Sequence, residues 1–292
     1  MSVIQSIAAL ALVSAAAASP ALAVEGPGVR VEHAAARVIV IAEPRSDYAI
    51  SINQGRAGLR PLVIRKDGGV TVVDGGYGFT GGIMHFGWNS LNCRGGRMGG
   101  QRVAIPGKGD VAVADLPVVT IRAPIDARIG GSGAVYGEVN GARTLDLSNS
   151  GCGDWRVGDV RGPLHISMSG SGDVHGAAAG DTSVSISGSS DVMLGQVNGR
   201  LETHTSGSGD IRAASVRGPV QTRIAGSGDV TIDGGDSPDV NVSIAGSGDF
   251  KFHGGAGAVR VAVAGSGDVE IDHANGPVTK HIAGSGDVHI GR

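Results

Sequence analysis

At 292 residues, with 41% hydrophobic but only 3% aromatic side chains, the chain is long enough to bury a sizeable core yet cannot fill a broad one with rings. A net charge of -3 argues against both a basic nucleic-acid surface and a polybasic membrane patch. The 52 glycines would suit a flexible linker, but here they recur at fixed intervals, which a linker does not need.

Residues 1–23 carry no charged side chain, run apolar from Ile7 to Val13 and end Ser19-Pro20-Ala21-Leu22-Ala23. A short apolar run closed by an A-x-A ending predicts a secretory signal peptide cut after Ala23, although no Lys or Arg marks its start. That run is too short to span a membrane and no later one is longer, so a periplasmic or secreted protein without a transmembrane segment is expected. Residues 24–124 read as a less regular N-terminal β cap with irregular first coils. Val29 to Val31, Arg37 to Ile41, Tyr48 to Ile52, Leu62 to Ile64 and Val70 to Val73 have strand length and β-branched content, with turn signals such as Gly68-Gly69 between them. Such strands would form broad first coils or close an end that otherwise exposes strand edges and core.

Residues 74–102 interrupt this pattern with a glycine-rich stretch holding Tyr77, Phe79, Phe86 and Trp88, together with His85 and Cys93. Clustered rings on such a loop suit ligand binding, for instance of sugar rings; the alternative is a plug packed over the end of the coil. In an exported chain Cys93 and Cys152 would pair, closing a loop worth about 4 kcal/mol by loop entropy, and two free thiols are the other reading.

Residues 125–292 are repetitive. The last position of each G-S-G-D-like unit falls on Ala134, Asp154, Asp173, Asp191, Asp210, Asp229, Asp249, Asp268 and Asp287, at intervals of 18 to 20. So constant a period marks a solenoid in which each copy is one turn. On both sides of the unit residues alternate with period two: Val220, Thr222 and Ile224 point inward before it, Val230 and Ile232 after it. A third inward position recurs at Val139, Val160, Val197 and Val216. The residue before each motif Ser is Gly throughout, from Gly131 to Gly284, which places a corner there. One outward column runs Arg128, Ser148, Ser167, Ser185, His204, Arg223, Ser243, Ala262, His281. The fold class is therefore all-β, a parallel β-helix of about 19 residues per turn, right-handed by preference. In the last turn Lys280 takes an inward position, which would blunt the end.

The ladder Asp154, Asp173, Asp191, Asp210, Asp229, Asp249, Asp268 and Asp287 would stack one carboxylate per turn, with neighbours about 4.8 Å apart repelling by about 0.9 kcal/mol in water. Hydrogen bonds from the glycine corner are favoured over calcium as compensation, because Asp follows the second Gly directly and the period is twice that of the nonapeptide calcium repeat. No metal or other cofactor is expected. Arg156, His175, Arg212 and Lys251 would share an outer face, but in one column with Tyr136, Met193, Thr231, Glu270 and His289, as on an ordinary exposed strand. No catalytic residues are assigned.

With its repeated I-x-G-S-G-D-V phrase, preceded by Asp115-Leu116-Pro117, and its opening strands Val38 to Ile41 and Tyr48 to Ile52, the chain resembles the auto-transporter adhesin head GIN domain family. The resemblance implies an exported β-helical domain of bacterial envelope proteins, of no established activity. No β-barrel segment follows Arg292, so transport by the chain itself is not expected. The expected function is an envelope-associated binding or structural module, adhesin-like, with a polymer or protein partner. The alternatives are a carbohydrate-active β-helix enzyme and a homo-oligomeric scaffold.

Overall fold

The structure is a computed structural model and describes residues 22–24, 28–77, 91–94 and 101–291. Parallel strands stack into a β-solenoid of about nine turns with about 19 residues per turn. Its N-terminal part comprises β1 (Leu22–Val24), β2 (Val29–Glu43), β3 (Tyr48–Asn53), β4 (Val63–Asp67), β5 (Val70–Asp74), β6 (Asn92–Arg94), β7 (Arg102–Ile105), β8 (Gly109–Ala112) and β9 (Val118–Pro124), followed by the long β10 (Asp126–Asn140).

β2 is already a full coil. It pairs in parallel with β10 on one side, and on the other with β5 through its first half and β9 through its second. Beyond these the pairing turns antiparallel: β4 folds back on β5, and β3 lies on β9. The stack therefore ends on this side in antiparallel pairs, and the edge strand β4 carries Arg65, Lys66 and Asp67, groups that discourage further strand addition. β1 pairs with β3, Ala23 opposite Ala49 and Val24 opposite Tyr48, so the expected cleavage point after Ala23 falls inside it.

From Asp126 onward each coil contributes an upstream strand, a glycine corner and a downstream strand, each paired with its equivalent in the next coil. Alternation decides what is buried. Val240, Val242 and Ile244, like Val259, Val261 and Val263 one coil on, are all at most 2% exposed, as are Phe250 and Phe252 after the corner. The inward column is not wholly apolar, since Thr203 donates to Thr222 across one coil spacing at 3.0 Å. One continuous core runs from Val29 to Val288.

The first regular coil departs from the sequence reading. Gly130, not Arg128, stands beside Ser148, and Arg128 pairs with Asp146. Ala134 bridges to Cys152, two residues before Asp154. Val139 accordingly pairs with Val157 and not with Val160, whose column continues through Ala179, Val197 and Val216. The physical reason is β10: it passes the corner as one strand in constant register with the next coil, Gly131 opposite Asn149 and Ala134 opposite Cys152, while the motif count sets Ala134 against Asp154. Counting motif residues therefore misplaces this coil by two.

At the corner the coils touch backbone to backbone. A Cβ on Gly265 would collide with the carbonyl oxygen of Gly246, and one on Gly246 with that of Gly226; both residues also have positive φ, 147° and 151°. The same collision recurs at Gly151, Gly170, Gly188 and Gly207, so the column needs Gly for space first. In the last coil Val278 is 41% and Ile282 46% exposed. Lys280 stands between them in the column of Val261, and its Nζ donates to the Val288 carbonyl at 2.7 Å.

Gly265→Ala is expected to lower stability by about 2–3 kcal/mol, because neither backbone can yield without breaking inter-coil pairing. Gly234→Ala, where a Cβ would lie 3.7 Å from its nearest neighbours, should stay within about 0.5 kcal/mol of the parent. Chemical denaturation of the two variants side by side measures the difference.

Candidate functional site: a serine groove beside the disulfide

The three-stranded antiparallel sheet β6-β7-β8 lies outside the solenoid. Its Val103 and Ile105 pack with Leu116 on Ala35 and Ala134, two small residues that face outward from β2 and β10. The described part of the 74–102 stretch thus covers a flank of the first coils, where the plug reading placed it over the end. Cys93 of β6 is bonded to Cys152 in the neighbouring corner, with Cα atoms 5.8 Å apart.

The outer surface of the first coils carries two adjoining hollows, of which the second reaches this sheet. One groove, of about 460 Å³, has Ser148, Ser150, Ser167, Ser169, Ser185 and Ser187 along it and Arg30, Glu32 and His33 at one end. A second hollow of about 600 Å³ adjoins it through His33, Ser132 and Ser150 and reaches Tyr77, Leu91 and the disulfide. The serines owe their alignment to the repeat. Ser148, Ser167 and Ser185 are register partners, and each is followed two residues later by another Ser on the same outward face. His33 at the mouth has φ 48°, the only positive value among the described non-glycine residues, and its N–H donates to Ser132 Oγ at 3.1 Å.

Of the four aromatic residues expected to bind ligand, Tyr77 is half-buried at the edge of the second hollow, with the Arg60 guanidinium 5.6 Å from its ring centroid. Phe79, Phe86 and Trp88 lie outside the described residues. The aspartate ladder runs elsewhere, along the corner. Each Asp accepts at Oδ1 from the backbone N–H of the next Asp: Asp154 from Asp173 at 3.2 Å, then on through Asp191, Asp210, Asp229 and Asp249 to Asp268, which accepts from Asp287 at 2.7 Å. Asp287 turns to its own neighbour, Val288 N, at 2.8 Å. The carboxylates are thereby compensated by backbone donors. Among the described residues no group of three His, Cys, Asp or Glu side chains stands close enough to hold a metal ion.

Sequence reasoning missed what closes the ladder at its first rung. Gln101 donates to Asp154 Oδ2 at 2.5 Å, and Tyr136 occupies the place Asp takes in later coils. Burial, with the Asp154 carboxylate nearby, pushes the Tyr136 phenol up to about 12. Asp173 is likewise raised from the ordinary carboxylate value, chiefly by burial and secondarily by its Asp neighbours. The serine groove was missed as well, though Ser-x-Ser at 148/150, 167/169 and 185/187 in three consecutive coils was a usable signal. The outer column expected to hold Arg156, His175, Arg212 and Lys251 begins with Glu138 and not Tyr136, and Arg212 is spent on Asp233 through two bonds of 2.7 and 2.8 Å.

A raised Asp173 means that the folded chain holds this proton to higher pH than the unfolded chain does. Its destabilising charge sets in as pH climbs above 3.8 and is complete above the folded value. Asp173→Asn keeps the Oδ1 acceptor without the charge, so at neutral pH the variant should be as stable as the parent or more so, with any gain vanishing at pH 3; melting curves at the two pH values check this. Reducing the Cys93–Cys152 bond, which spans 59 residues, should cost about 4 kcal/mol by loop entropy and raise proteolysis within 91–112, measured by limited digestion with and without reductant.

Among the described residues no helix is long and apolar enough to cross a membrane. A comparison with curated proteins finds no match. Among solved structures, a crystal structure of "a putative adhesin" from Parabacteroides merdae is similar over 92% of this chain and 93% of its own, with a TM-score of 0.50 and 12% identity, a likeness of fold alone. Residues 215–291, which form the C-terminal coils, match the family described as "Putative auto-transporter adhesin, head GIN domain".

Proposed function

We propose that the protein is an exported, adhesin-like recognition module of the cell envelope, that it binds through the serine groove, and that it is not an enzyme. The observation that carries the reading is the groove itself. It turns two columns of hydroxyls from successive coils toward one space, and a second hollow that reaches the disulfide adjoins it. The family match over 215–291 supports an adhesin-like role, and the apolar leader at 1–23, with a disulfide suited to an oxidising compartment, supports export to the periplasm or beyond. Against catalysis stand the charges near the groove, which are satisfied by one another: Arg30 by Glu32 at 3.1 Å, and Arg65 by Glu32 at 3.1 Å. A homo-oligomeric scaffold is the second reading, favoured by the exposed Val278 and Ile282 of the last coil.

The test is a binding screen of the protein against bacterial envelope polysaccharides and envelope proteins, repeated with Ser167→Trp, which fills the groove from an exposed position. Saturable binding by the parent, lost in a normally folded Ser167→Trp, is the expected result. Release of cleaved fragments from any polysaccharide would point to the enzyme alternative. Concentration-dependent self-association with no binding would point to the scaffold.

A further inference from the structure

The polar chemistry of the groove narrows its ligand. Six hydroxyls, Ser148, Ser167 and Ser185 in one column and Ser150, Ser169 and Ser187 in the next, form an array of two by three. Neighbours in a column are about 4.8 Å apart and neighbours along a strand about 6.6 Å. Among the described residues none of the six hydroxyls has a partner within the chain, whereas Ser132 Oγ is engaged by His33 and Ser206 Oγ turns to the Ile186 carbonyl. Each is therefore free to act as donor and acceptor at once. Between the two serine columns Asn149, Met168 and Ile186 turn inward, so only the hydroxyls face the groove.

Charge excludes one class of ligand. The column of Ser148 begins at Arg30 and passes beyond Ser185 to His204 and Arg223. Arg30 is paired with Glu32 and with Asp67 at 3.2 Å, and Arg223 with Glu202 at 3.4 Å. Both guanidinium groups are thus neutralised locally and offer a polyanion no field to enter. Shape and apolarity exclude another: Met168, the large apolar residue at the groove, is itself buried in the core, so no open apolar pocket is left to seat the anchor side chain on which protein interfaces depend. A half-exposed ring, Tyr77, stands at the adjoining hollow.

Building on the recognition role proposed above, we infer that the groove takes a neutral, polyhydroxylated chain, a glycan without acidic groups, laid across successive coils so that its hydroxyls pair with the six serines. A hydroxyl array meets such a chain donor for acceptor at each coil, and the sugar faces can stack at the Tyr77 end.

The experiment titrates the full chain with soluble β-linked glucans and N-acetylhexosamine oligomers as neutral probes and with a polyuronate as the acidic one, at low and high salt. The variants are the triple Ser148→Ala, Ser167→Ala, Ser185→Ala and, in the same column outside the groove, Ser243→Ala. The expected result is binding to a neutral probe that changes less than twofold with salt, weakens at least tenfold in the triple variant and is unchanged in Ser243→Ala, with equal melting temperatures throughout. Binding to the polyuronate alone, falling steeply with salt, overturns the inference and leaves the recognition role standing, as does neutral binding untouched by the triple variant. Binding only to an envelope protein overturns the glycan while keeping the groove; no binding to anything overturns both.

Discussion

Everything in this structure depends on how closely one coil can lie on the next at its corner. Strands stacked at the ordinary hydrogen-bonding distance leave room between corner backbones for a hydrogen atom and no more, as the clash of any Cβ on Gly265 with Gly246 shows. That one limit fixes an unbroken glycine column. The same closeness brings each aspartate within reach of the next coil's N–H, so the ladder from Asp154 to Asp287 ties together the segment that glycine leaves least restrained. Packing and polar satisfaction here are two results of a single spacing.

The hollow that adjoins the candidate groove follows from where that regularity stops. In the first coils β10 runs straight past the corner, Tyr136 replaces the aspartate, and Ala35 and Ala134 expose small faces on which a separate sheet can lie. Gln101, just before β7, reaches to the first rung of the ladder, and Cys93 bonds into the corner position of Cys152. The groove from Ser148 to Ser187 is formed by the coils themselves, and the same columns farther along form another hollow, where Ala245, Ala264 and Ala283 stand in place of Ser150, Ser169 and Ser187.

The regular coils were legible because alternation and period act on the same residues: once Val240, Val242 and Ile244 recur as Val259, Val261 and Val263, both face and register are determined. The match over 215–291 falls in that most regular part. The first coil was misread because a motif count assumes that each copy meets the next at the motif, whereas Ala134 stands opposite Cys152, two residues before the motif's Asp154. The edge strands of the cap were visible as strands, but which of them turn antiparallel is set by chain reversal in three dimensions. The groove was hardest to see, because each serine is unremarkable in its own repeat and gains meaning only when three successive coils stack the pairs side by side. Tyr77 was found through its aromatic character and sits at that site's edge, while its neighbours in sequence lie outside the described residues.

The most direct test of the account is residue-resolved amide hydrogen exchange along the corner. The side chain of Asp229 is exposed, yet the N–H of Asp249 is held by it at 2.8 Å, and Asp268 and Asp287 repeat the arrangement. The account predicts slow exchange at these amides, comparable with the flanking strands and broken one coil at a time by Asp→Ala. Rapid exchange at the aspartate amides beside protected strands would contradict it.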